Sequence, residues 1–120
     1  MKYLLLVHHS EDVLNAISES ERRDMLEESV RLANQLNAMG QYIHASPLHP
    51  VAMATSVQVR AGKPLVTDGP FAETREQLGG YFLIEASSLD EAIGIAKRIP
   101  GARIGTVEIR PVKDVAGLPE

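Results

Sequence analysis

The chain has 120 residues, no cysteine and a net charge of −4, which fits one domain and excludes disulfides, thiolate zinc sites and cysteine nucleophiles. With an acidic balance and no lysine or arginine run, no nucleic-acid partner is expected, because phosphate binding needs a basic face. The first apolar run, Tyr3 to Val7, is too short for a signal segment or a membrane helix. No membrane contact and a cytoplasmic location are therefore expected.

Residues 2–8 read as a strand that is apolar on both parities, so both of its faces need cover. His8 and His9 end it, and Ser10-Glu11-Asp12 reads as a polar loop. Residues 19–39 read as one long helix. Ser18 and Glu21 form a capping-box pattern, Met25, Leu32, Ala33 and Leu36 share one face with Ser29 in its middle, and Gly40 closes the helix. A short strand follows at 41–46, then a loop held extended by Pro47 and Pro50. Residues 54–60 alternate as a half-exposed strand, Ala61-Gly62-Lys63 reads as a hairpin turn, and Pro64 to Thr67 as the returning edge arm.

The run Thr67-Asp68-Gly69-Pro70-Phe71-Ala72-Glu73-Thr74 is a turn with a mechanism: aspartate bonds its own backbone, glycine accepts a positive φ and proline ends any ladder. Gly79-Gly80, ahead of a strand at Tyr81 to Glu85, suggests a bulge or a close backbone approach. Ser88-x-x-Glu91 caps a second helix ending near Ile99-Pro100, and Thr106 to Arg110 is the last strand, with Val107 and Ile109 on its apolar side. Residues 1–110 thus form one domain and 111–120 a tail.

The order βαβ, hairpin, βαβ is a ferredoxin-like split βαβ pattern of the α+β class with an extra hairpin arm. Two helices cover only one sheet face, whereas the first and fifth strands are apolar on both parities. The simplest cover for the other face is a second copy, which makes a two-fold homodimer.

Asp68 is a carboxylate beside apolar residues, suited to acid–base work, or else an Asx-turn residue bonded to backbone. His8 and His9 stand at a strand end where side chains line a cleft, with opposite orientations. His49 lies in a constrained loop, and His44 reads as a sheet residue with a satisfied ring nitrogen. No His-x-His or His-x-x-x-His spacing occurs, so no metal is expected. Arg75 is suited to gripping a carboxylate or else to a solvated surface, and Tyr81 offers a phenol at a pocket wall or at a packed rim.

The run Asp68 to Thr74 with Glu76-Gln77-Leu78-Gly79-Gly80-Tyr81 resembles the signature of the DGPF branch of the YCII-related family. The likeness extends over Lys2-Tyr3-Leu4-Leu5-Leu6, Pro47-Leu48-His49-Pro50, Ala54-Thr55-Ser56-Val57 and Val107-Glu108-Ile109-Arg110-Pro111. It implies a ferredoxin-like homodimer of the dimeric α+β barrel type, with a cleft and a site aspartate at Asp68. Several relatives carry a histidine on the first helix near the position of Ser29 here; a serine cannot serve as base, so either an imidazole comes from His9, His8 or His49, or Asp68 works without one. The resulting expectation is a cofactor-free lyase or isomerase for a small cyclic or aromatic compound. Asp68 and His9 would be catalytic, and His8, Ser29, His49, Phe71, Arg75 and Tyr81 would hold substrate. The rival expectation, also from resemblance, is a non-catalytic accessory protein of an extracytoplasmic-function sigma factor.

Overall fold

The structure is a computed structural model that describes residues 1–119. In chain order it runs β1 (Lys2–His9), α1 (Glu11–Ala16), α2 (Glu19–Ala38), β2 (Tyr42–Pro47), β3 (Thr55–Arg60), β4 (Lys63–Asp68), β5 (Gln77–Glu85), α3 (Leu89–Ala96) and β6 (Gly105–Pro111), with 3₁₀ turns at Val51–Met53 and Pro100–Arg103. Strands β2, β5, β1 and β6 form one sheet in that order, every neighbour antiparallel. Strands β3 and β4 pair only with each other. The class is α+β. The units β1–α2–β2 and β5–α3–β6 each return to the sheet one strand away, leaving room for a strand of the other unit.

Alternation along β1 decides what the sheet buries. Tyr3, Leu5 and Val7 point to the helices and pack with Phe82 and Ile84 of β5, Leu32 and Leu36 of α2, and Ala92, Ile95 and Ala96 of α3. Leu5, Leu36, Ile84 and Ile99 are fully buried, each contributing about 1.5–3 kcal/mol of transfer free energy. Leu4 and Leu6 take the other parity and pair across the sheet with Leu83 and Tyr81. The buried residues of α2 and α3 all belong to the one core, so this second face has no helical layer. On it Tyr81 Oη and His44 Nδ1 share a hydrogen bond of 2.7 Å beneath stacked rings, and His8 Nε2 meets Glu108 Oε1 at 3.1 Å. His44 thus has the satisfied ring nitrogen expected of it.

The caps form where the sequence reading puts them. Ser18 Oγ accepts from Glu21 N, and Ser88 Oγ accepts from Glu91 N, both at 3.1 Å. The Glu91 carboxylate reaches back to Ser87 N rather than to the cap residue itself. Gly40, at φ 73°, closes α2: its N–H bonds Asn37 O, and Gln41 N bonds Leu36 O, the paired bonds of a Schellman ending. At the end of α3 the N–H groups of Arg98 and Ile99 bond three residues back, to Ile95 O and Ala96 O. That tightening stops α3 at Ala96, ahead of Ile99.

Three other expectations change. Ser10-Glu11-Asp12 is not a loop. Ser10 Oγ accepts from Val13 N and starts α1 with two acids in its first turn, where the helix dipole favours them. Arg22 Nη1 then donates to Leu14 O, which also accepts from Ile17 N, and to Ile17 O, at 3.2 and 2.6 Å, tying down the end of this short helix. Strand β5 begins at Gln77, so the glycine pair lies inside it. Val7 pairs with Gly80 and His8 with Leu78, which leaves Gly79 as the extra residue of a bulge. Finally, the β3–β4 arm is exposed on both faces rather than half-covered, apart from Ser56. Its turn, Ala61-Gly62, has φ of 51° and 75°, the double positive φ of a tight hairpin. The tail is tied at its start, where Val112 N donates to Lys2 O; Glu120 lies outside the described residues. Among the described residues no helix is long and apolar enough to cross a membrane.

Candidate functional site

Between α2 and the helix face of the sheet lies a cavity of about 560 Å³, inside the size range of small-molecule sites. Its walls are mostly apolar: Val7, Met25, Val30, Ala33, Phe82 and Ile99 are among them. Sequence spacing explains the wall from α2. Met25, Ser29, Ala33 and Asn37 recur every fourth residue and so lie along one side of the helix. Leu32 and Leu36, on the neighbouring stripe, go into the core. Ser29 thus opens onto the cavity, and Asn37 does so two turns later.

His9 enters the cavity from the end of β1, on the same parity as Val7. Gly79 makes room for it. A Cβ built on Gly79 would lie 2.7 and 2.8 Å from the ring nitrogens of His9 and closer still to Cε1. Gly80 has a different reason to be glycine: its Cβ would meet Ser46 O at 3.0 Å and the Cα of Pro47 at 3.2 Å. The glycine pair therefore admits a ring on one side and a neighbouring strand on the other.

Burial lowers the proton affinity of His9 below the ordinary histidine value of 6.5, and the nearby His8 lowers it further. Glu11 and Glu76 oppose this and are outweighed. His9 is consequently neutral at pH 7, with a lone pair on one ring nitrogen and a proton on the other. Among the described residues none bonds to the side chains of His9, Ser29 or Asn37, which leaves all three for a ligand. Tyr42 Oη already accepts from Ala45 N at 3.1 Å and keeps its own proton to donate. Among the described residues the cavity wall includes no lysine and no arginine.

The other sequence candidates lie elsewhere. Tyr81 borders the cavity, but its hydroxyl is bonded to His44 on the opposite sheet face. His8 is on that opposite face as well, with Glu108. His49 is exposed in the loop after β2. Asp68 ends the arm, exposed, and pairs in register with Thr55; it does not line the cavity of its own chain. Phe71 is 88% exposed in the loop after the arm. Arg75 faces a separate polar groove with Glu11, Asp12 and Glu76. There Glu11 N donates to Gln77 Oε1, and Glu11 Oε2 accepts from Val51 N. No set of three or more histidine, aspartate or glutamate side chains converges on a metal position among the described residues.

The residue that sequence reasoning passed over is Asn37, whereas Gly79 was read as a bulge or close approach without its link to His9. The signal for Asn37 was its spacing of eight from Ser29 on one helix. The signal for Gly79 as a seat was present only as its neighbourhood to a strand.

A family model described as YCII-related domain matches residues 1–116. An uncharacterised protein of Rhizobium meliloti (strain 1021) is 38% identical over 121 residues, covering 93% of this chain and 92% of that protein.

Proposed function

We propose a function from two premises: the chain belongs to the family of YCII-related domains, and its cavity holds a neutral, unbonded imidazole between apolar walls. The function is that of a small-molecule enzyme of lyase or isomerase type, in which His9 takes a proton from the ligand. The observation that carries this reading is His9 itself. Its ring is seated by a bulge glycine, has no protein partner among the described residues, and is kept neutral by burial. A base needs a lone pair at working pH and reach to the substrate. Without lysine or arginine in the wall, an anionic ligand would lose its water without gaining a counter-charge. The ligand is therefore an uncharged cyclic or aromatic compound whose polar substituents meet Ser29 and Asn37.

The finer assignments belong to the same reading. The run Asp68 to Thr74 supports membership of the DGPF branch. The strand order β2-β5-β1-β6 with two crossovers supports a ferredoxin-like description of the four-stranded body. Leu4, Leu6 and Leu83, on a face without helices, support pairing of two copies across that face.

The test is a thermal-shift screen of wild type and His9→Gln against uncharged phenols, quinols and lactones and their carboxylate analogues. A ligand at a hundred times its Kd stabilises by about 2.7 kcal/mol, which is several degrees for a chain of this size. Neutral compounds should shift the wild type and lose their effect in His9→Gln. Bound compounds should then exchange a carbon-bound proton for deuterium in heavy water, read by NMR. A screen in which only carboxylates bind, or binding without any exchange, would refute the enzymatic reading.

A further inference from the structure

The arm has two unlike faces. By register, Thr55, Val57, Val59, Pro64, Val66 and Asp68 lie on one, and Ser56, Gln58, Arg60, Lys63, Leu65 and Thr67 on the other. The first face is apolar except at its root, yet it covers nothing in its own chain: Val57, Val59 and Val66 are 64%, 60% and 67% exposed. The chain is also spread out. Its radius of gyration is 16.2 Å, against about 14 Å for a compact domain of this length. An isolated two-stranded hairpin has marginal stability in water. Such an arm needs a surface to lie on, and its own body does not provide one.

We propose that the β3–β4 arm is a clasp whose apolar face packs on a second copy of this chain, carrying Asp68 at its root into the contact. It rests on the pairing across the open sheet face described above, and the areas show why both contacts are needed. Six residues per strand and two strands make a footprint of about 20 by 10 Å. Two arms and the two patches beneath them remove on the order of 800 Å² from water, half of a standard interface of about 1,600 Å². The open sheet face, with Leu4, Leu6 and Leu83, supplies the remainder. A two-fold axis repeats each arm contact and closes the assembly. Asp68 shares its arm face with Val57 and Val66, so whatever covers the valines also approaches the carboxylate. Phe71, just beyond, adds a large exposed aromatic, a residue type enriched in the centre of interfaces.

The absence of cysteine makes the test clean. Val66→Cys and Asp68→Cys each introduce a single thiol on the arm. Maleimide labelling rates are compared at concentrations where sedimentation shows a dimer, after dilution to monomer, and in a Leu6→Asp background that breaks the sheet-face pairing. The dimer should react at least tenfold more slowly than the monomer at both positions. Equal rates in dimer and monomer would overturn the clasp while leaving the sheet-face pairing standing. A wild type that sediments as a monomer at every concentration would overturn both. Should Leu6→Asp fail to fold, the dilution series gives the same comparison.

Discussion

Gly79→Ala probes the seat of His9. The new Cβ would overlap three atoms of the imidazole, Cε1, Nδ1 and Nε2, and no backbone atom is among its nearest contacts. These atoms are the far end of a side chain with two rotatable bonds, so the ring swings away instead of pushing the strands apart. The cost is that of an off-rotamer side chain and lost packing, about 1 kcal/mol, below the upper end of about 3 kcal/mol for overpacking a rigid site. For a domain of this length that is a fall in Tm of about 4 °C. The chemical effect should be larger than the thermal one. Once displaced, the ring regains water, and its proton affinity should return toward the ordinary histidine value as the burial that lowered it is relieved. The assay is a double-mutant cycle with His9→Ala, read by urea unfolding, beside an NMR titration of the His9 ring. Alanine at 79 should cost almost nothing once the ring is gone. If it costs the same in both backgrounds, within about 0.5 kcal/mol, the glycine serves the bulge alone and the seat does not exist.

Gly105→Ala should behave in the opposite way. Its Cβ would run into the carbonyl oxygen of His8 and lie 2.9 Å from the Cα of His9, atoms that cannot rotate aside. A loss of about 3 kcal/mol or more is expected, measured by chemical denaturation; a loss below 1 kcal/mol would refute the close approach of β6 to β1. The pH dependence of stability follows from His9. Its native proton affinity is lowered, so above about pH 6.5 both states hold it neutral and its contribution is fully present. As pH falls below 6.5 the unfolded chain takes a proton that the native chain resists, and stability is lost until pH drops through the native value. Urea midpoints of wild type, relative to His9→Gln, should therefore fall on acidification; a relative rise would contradict the burial of the ring.

The main helices and strands were legible because their signals are local. Ser18, Ser88 and Gly40 act on backbone groups within one turn, and the glycine pair announced a bulge that Gly79 makes. The short α1 was not legible, since six residues hold too few apolar positions to show a period. The choice between His8 and His9 also could not be read. β1 is apolar on both parities, so nothing local says which side the helices take, and the histidine that meets the cavity follows from that side. The isolation of the arm escaped for a related reason. Alternating valines record that one face wants cover; they do not record whether the cover lies in the same chain.

Glu11 is where the chain on either side of the arm is anchored to the body. It fastens Val51, four residues before the arm, and Gln77, nine residues after it, to the start of α1. Glu11 is also one of the two negative charges that hold up the proton affinity of His9, and the other, Glu76, adjoins Gln77. The chain on both sides of the arm thus passes the two carboxylates that oppose, and are outweighed by, the burial of His9. A shift of the arm at its base would therefore strain the hydrogen bonds that tie the neighbouring chain to the start of α1.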